Sequence, residues 1–252
     1  MGMEIIKQEL DNYLEFDSGL IFNNPLIDAI SIFGGAIRDI VAGDSDKIND
    51  IDMVGMSQSV YKTYEILTNN GFKKMDLVKP NIHEMYRDIK IIFDPITLMN
   101  NNQKIVQLIR PSQAHIQQPK WDVVETMRYS YFRLLKNVDL SSSGLFYDGE
   151  KIYESIQDAY THCKSKVFEQ YTDAMMYNLN RTYERKRKLV NNKWFEIVNN
   201  GEDNIKSTSH LLSTRRLKFH SLQKYNIPSI KDYIEKLEYI EPFKNKNVNP
   251  LQ

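Results

Sequence analysis

The chain has 252 residues, 41% of them hydrophobic and 26% charged, and no apolar run approaches the length of a bilayer span. This composition fits a soluble globular protein of one large or two modest domains and excludes a membrane-spanning or disordered class. The formal charge of +0 conceals a division, because residues 1–100 carry 9 Lys and Arg against 16 Asp and Glu (−7) and residues 101–252 carry 24 against 17 (+7). An acidic front half suits a cation site, and a basic back half suits a phosphate backbone. Cys163 is the single cysteine, so the chain has no internal disulfide framework, and a cytoplasmic setting is expected. The start MGMEIIKQELDNY has neither a basic lead nor an apolar signal core, and Ile6 stands where a myristoylation signal needs Ser or Thr. His162, beside the cysteine, reads as a helix-surface residue rather than a ligand.

In chain order, a short turn or helical stub from Pro25 leads to an apolar strand over 29–33, a glycine pair at Gly34-Gly35, a helix over 36–42, a polar loop over 43–49 and a strand over 50–55. A strand turning into a helix through two glycines lets backbone N–H groups approach a polyphosphate closely, and the helix N-terminus favours anions. Arg38, in the first turn of that helix, is placed to clamp phosphate, and Asp39 fits a helix-dipole or capping role. Asp50 and Asp52 are one residue apart on a strand, so both carboxylates leave the same face and can hold a hard cation such as Mg²⁺.

Ser57 to Asn69 reads as a helix with apolar spacing at Val60, Tyr64 and Leu67, stopped by Asn69-Asn70-Gly71. Short β-like runs follow at 72–78, 83–87, 88–94 and 104–110, then a helix at Trp121 to Leu135. The result is a small mixed sheet with helices on one side. Beyond Lys151 the pattern turns mainly helical, over 152–168 and 174–198. Arg181, Arg185, Lys186, Arg187 and Lys188 are interleaved there with Tyr177, Tyr183 and Trp194. Arg181 and Arg185, four apart, share a helix face, and arginines with aromatics can hold phosphates and stack the bases of single-stranded RNA. A polar loop over 199–207, a basic helix opening at Thr214 to Lys218, a short helix over 230–240 and a loose tail complete the chain.

The series GGAIRD, a spacer with Gly43, then DID resembles the signature of the tRNA-nucleotidyltransferase and bacterial poly(A) polymerase branch of the polymerase-β-like nucleotidyltransferases. Downstream, Asp139-Leu140-Ser141-Ser142-Ser143-Gly144-Leu145-Phe146-Tyr147-Asp148 is similar to the family's DFTINALAYD. Asn137-Val138 stands there in place of two arginines and Ser143 in place of an asparagine. The resemblance implies an α+β fold, with a nucleotidyltransferase palm over residues 1–150 and a helical, basic neck or acceptor-binding domain over 151–252. It implies transfer of a nucleoside monophosphate from a nucleoside triphosphate to an acceptor, foremost an RNA 3′ end. Asp50 and Asp52 would bind Mg²⁺ ions, Gly34, Gly35 and Arg38 the triphosphate, and Asp139 would help shape the nucleotide site. The family's EDxxR base-selecting element has no clean counterpart, and Arg181 and Arg185 are the nearest candidates for nucleotide contact.

A third carboxylate often completes such sites. The positions here are Asp94, which as readily starts a turn before Pro95, and Gln107, which can be neither a base nor a full anionic ligand. The alternatives to an RNA-directed enzyme are a degenerate nucleotide- or RNA-binding module and transfer to a protein or small molecule.

Overall fold

A computed structural model describes residues 3–27, 30–55, 57–75, 93–111, 139–154, 158–170 and 175–197. The strand expected at 83–87, nearly all of that at 88–94, the helix at 121–135 and every segment beyond 197 lie outside the described residues.

The chain opens with helix α1 (Met3–Leu14), in which Ile6, Leu10, Tyr13 and Leu14 recur at helical spacing and are all buried. A one-turn helix, α2 (Gly19–Phe22), leads to strand β1 (Ile30–Phe33), helix α3 (Gly35–Ala42), a 3₁₀ turn (Ser45–Lys47) and strand β2 (Asp50–Gly55). Helix α4 (Ser57–Asn69) and strands β3 (Lys73–Lys74), β4 (Phe93–Met99) and β5 (Ile105–Pro111) follow. Strands β6 (Leu145–Tyr147) and β7 (Ile152–Glu154), helix α5 (Ala159–Ser165), strand β8 (Val167–Phe168), helix α6 (Met175–Asn191) and strand β9 (Phe195–Glu196) complete the described elements.

Seven strands form one mixed sheet in the order β3-β4-β5-β2-β1-β6-β7, in which β2 and β5 are parallel and the other neighbours antiparallel. Register aligns two rows of residues across it. Ile96, Leu108, Met53, Ile32, Tyr147 and Ile152 occupy the row that joins the core with Ile37 and Ile40 of α3, Val60 and Leu67 of α4, and Leu10 and Leu14 of α1. Each such aliphatic side chain, removed from water, contributes about 1.5–3 kcal/mol. The adjacent row is Thr97, Gln107, Asp52, Phe33, Phe146 and Tyr153. Since successive residues of a strand alternate faces, Asp52 points away from the helix-covered side.

Several elements depart from the sequence reading. Within 152–168, expected as helix, the described residues include β7, α5 and β8. The Asp148 side chain accepts the N–H groups of Glu150 and Lys151 (2.9 and 2.8 Å), and this loop turns β6 back along β7 as a hairpin, so the sheet continues to Glu154. The helix expected over 174–198 stops at Asn191: Lys193 takes a left-handed φ of 65°, and the N–H groups of Lys193 and Trp194 donate to Val190 O and Leu189 O. This is a Schellman closure made without the usual glycine. Asp94, read as the start of a turn, lies within β4. Among the described residues β3 pairs with β4 at Leu98 and Met99, with the Met75 N–H donating to Thr97 O at 2.9 Å, and Pro95 lies beyond that ladder.

Candidate active site

The link from β1 to α3 is made at Gly34, whose φ of 76° and ψ of −132° belong to a region open to glycine and strained for other residues. Its N–H donates to Leu145 O at 3.0 Å, fixing the turn against β6. A Cβ at Gly34 would meet nothing within 4 Å, so the dihedral angles demand glycine while the space beside the turn stays open. At the other end of α3, Gly43 is left-handed and the N–H groups of Gly43 and Asp44 close a Schellman motif onto Ile40 O and Asp39 O (3.0 and 2.8 Å). The helix is thereby held at both ends, with its N-terminus beside the glycine pair.

The two aspartates are at the same edge of the sheet as this turn. Phe33, the residue before Gly34, is the direct cross-strand partner of Asp52. Asp50 and Asp52 are half-buried, alternating with the buried Ile51 and Met53. On the other side of β2, Asp50 is in register with Ile105 and Asp52 with Gln107, and the Gln107 amide donates to Asp50 Oδ2 at 3.3 Å. Phe33 stacks on Phe146 with centroids 5.7 Å apart, giving the site an aromatic wall. The position beside the pair is thus taken by a neutral amide. Asp94 is in register with Arg110, three places along β4 from Thr97, the partner of Gln107, or about 10 Å of strand. The backbone does not bring it alongside the pair.

No cluster of three His, Cys, Asp or Glu able to hold a metal occurs among the described residues. Two carboxylates on one strand face suit Mg²⁺, which keeps several waters and shares its coordination with substrate phosphates rather than demanding a full protein cage. The donor set therefore fits that ion in company with a triphosphate.

Tyr13 is a contributor that the sequence reading missed. Its hydroxyl lies 2.9 Å from Asn49 O and 3.1 Å from Ile105 O and accepts the Ile105 N–H at 3.0 Å, tying α1 to the starts of both strands that carry the polar pair. Burial, with the Asp50 and Asp52 charges adding to it, pushes the phenol up to about 12, so it stays protonated and available as a donor. The apolar period of α1 was the signal for its burial, and nothing local marks the hydroxyl's partners.

Arg38 is placed differently from the expectation of a phosphate clamp. It is 6% exposed, and its Nε and Nη2 donate to the two oxygens of Asp39 at 2.7 and 2.9 Å. The guanidinium carbon lies 5.9 Å from the Trp194 ring centre. Burial works against its charge, yet the adjacent Asp39 carboxylate raises its pKa overall. Asp39 is accordingly its ion-pair partner. The guanidinium also lies beneath the turn, with Nη2 3.4 Å from where a Gly35 Cβ would stand.

Asp139 and Arg185 do come together, but on each other. Asp139 is buried, accepting from Thr182 Oγ1 at 2.9 Å and Arg185 Nη1 at 2.7 Å. Arg181 lies one helical turn before Arg185 on α6. His162, expected at the helix surface, is part-buried, with Nδ1 2.7 Å from Ser141 Oγ, and that oxygen accepts the Glu169 N–H. Cys163 is fully buried and donates to Ser142 O. No described helix is long and apolar enough to cross a membrane.

No family model and no curated protein matches the chain. Among solved structures it is similar to a CCA-adding enzyme in complex with CTP, at 12% identity and a TM-score of 0.49 over 88% of this chain and 47% of that one. It is also similar to the Thermotoga maritima CCA-adding enzyme complexed with tRNA, at 13% identity and a TM-score of 0.46 over 86% and 44%. A third likeness is to a tRNA nucleotidyltransferase complexed with a primer tRNA and an incoming ATP analog, at 13% identity and a TM-score of 0.43 over 75% and 48%. The chain spans about half the length of these structures.

Proposed function

We propose that this chain transfers a nucleoside monophosphate from a nucleoside triphosphate to an acceptor hydroxyl, and that the acceptor is an RNA 3′ end. The observation that carries this reading is the pairing of Phe33 with Asp52, which sets an open glycine turn and a helix N-terminus beside two same-face carboxylates. Backbone N–H groups at Gly34-Gly35 and the start of α3 are suited to the β- and γ-phosphates. Asp50 and Asp52 would hold Mg²⁺, which when bound would offset charge on the phosphates and the departing pyrophosphate. Gln107 fixes Asp50 but cannot take the hydroxyl proton, so deprotonation falls to the aspartates or to solvent. Tyr13 and the Arg38–Asp39 pair position these groups without touching substrate.

The test is incubation of the purified protein with Mg²⁺, each labelled nucleoside triphosphate in turn and total cellular RNA. The expected result is label at RNA 3′ ends. Label confined to protein would redirect the reading to a different acceptor, and no label with any nucleotide would leave a binding module in which Gln107 marks lost chemistry.

A further inference from the structure

Helix α6 has two polar faces with different work. Thr182, Arg185 and Leu189, spaced three and four apart, turn inward: the first two donate to Asp139 and the third joins the core. Arg185 is therefore occupied by Asp139, although its side chain stays about a third exposed. Glu184, Arg187, Lys188 and Asn191 follow the same spacing on another face. Together with Asn192 they line an open cleft of about 520 Å³ whose opposite wall is Lys47 and Asn49. Asn49 immediately precedes Asp50, and the Tyr13 hydroxyl fixes its carbonyl. The cleft thus extends from α6 to the residue before the first carboxylate.

Its lining specifies a ligand class. Lys47, Arg187 and Lys188 oppose one carboxylate, Glu184, and the other described lining groups are asparagine amides; among the described residues none of the lining is apolar or aromatic. Such a surface offers no aromatic platform for base stacking. It offers charge for phosphates, and amides for 2′-hydroxyls or base edges. Lys47 is steadied by Asp44, which accepts from Lys47 at 2.9 Å and from Lys166 at 2.8 Å. A free triphosphate is the poorer fit, because the cations are borne on separate long side chains of two elements, whereas closely spaced N–H groups occur at Gly34-Gly35.

We propose that this cleft seats the phosphate backbone of a single-stranded RNA and leads its 3′ end to Asp50 and Asp52. The direction of that lead rests on the nucleotidyl-transfer reading, whereas the binding itself does not. The experiment measures affinity of the full chain for a short unstructured, fluorescently labelled RNA across a salt series, with MgATP affinity measured separately. The variants are Arg187→Gln/Lys188→Gln and, as a control of equal charge loss, Lys73→Gln/Lys74→Gln on the exposed strand β3. The cleft variant is expected to bind RNA about tenfold more weakly, with the salt slope reduced by about 1.4 for two lost single-strand phosphate contacts. The control and the MgATP affinity should be unchanged.

Wild-type RNA affinity and slope in the cleft variant would overturn the proposal. So would equal losses in the control, which mean diffuse attraction, or a loss of MgATP affinity with RNA binding intact, which makes the cleft a triphosphate site. Cleft-dependent RNA binding without any nucleotide transfer would leave this inference standing and remove the transfer reading. Transfer with cleft-independent RNA binding would do the reverse.

Discussion

Replacing Arg38 with alanine separates a structural role for this residue from a substrate-binding one. Arg38 and Asp39 side chains are each 8% exposed and joined by two hydrogen bonds at 2.7 and 2.9 Å. Removing the guanidinium strands a carboxylate in the interior, a loss of about 3–5 kcal/mol when one partner of a buried pair is deleted. Loss of the cation–π contact with Trp194 adds about 0.5–2 kcal/mol. Asp39→Ala strands the guanidinium and should cost a similar amount. The double variant, which leaves no unpaired charge, should be more stable than the sum of the two losses implies, with a coupling of about 2–3 kcal/mol, the upper part of the range for residues in direct contact. Urea unfolding of the four proteins, followed by far-ultraviolet circular dichroism, measures this cycle. If Arg38→Ala were destabilised by less than about 1 kcal/mol while losing nucleotide affinity, the guanidinium would be reaching phosphate and the buried-pair account would be wrong.

Three further predictions concern Glu154, Gly34 and Tyr13. Glu154, whose Oε1 accepts the Tyr160 N–H at 2.6 Å, is pushed by burial from 4.5 up to about 7. The folded protein therefore binds this proton more tightly than the unfolded chain, and the stability present below pH 4.5 is lost as pH rises toward 7. The full excursion corresponds to about 3 kcal/mol; Glu154→Gln should remove this slope from the pH dependence of urea unfolding, and an unchanged slope would contradict it. Gly34→Ala should destabilise by about 1–3 kcal/mol through backbone strain alone, since the space for the methyl group exists; wild-type thermal stability would mean the turn relaxes freely. Tyr13→Phe should cost about 1–3 kcal/mol by leaving strand-end backbone groups unpaired. It should also lower kcat for transfer without changing RNA affinity, and an effect on RNA affinity alone would place Tyr13 elsewhere.

The residues between Ile30 and Gly55 were legible because their signals are local. A glycine pair ends an apolar strand, Gly43 ends a helix, and two aspartates alternate with apolar residues. The arginines were not legible in the same way. Nothing in RTYERKRK tells which cation faces inward, because the helix carries little apolar periodicity there. The choice is made by Asp139, far away in sequence, which draws in Arg185 and leaves Arg187 and Lys188 on the cleft. For Arg38 the first-turn position was legible but its surroundings were not: Asp39 beside it and Trp194 from beyond α6 engage the guanidinium in the interior. Residues 152–154 looked helical because three residues are too few for alternation to register, and their strand state depends on pairing with β6.

In the proposed reaction Asp50 and Asp52 together support nucleotidyl transfer at an edge shared with the glycine turn. The most direct measurement is the rate of labelled nucleotide incorporation into RNA, titrated with Mg²⁺, for the wild type and for Asp50→Asn and Asp52→Asn, with folding checked by thermal unfolding. The expected result is Mg²⁺-dependent incorporation by the wild type and loss of incorporation in each variant, with the folded state retained. Wild-type incorporation by both folded variants, or incorporation independent of a divalent cation, would contradict it.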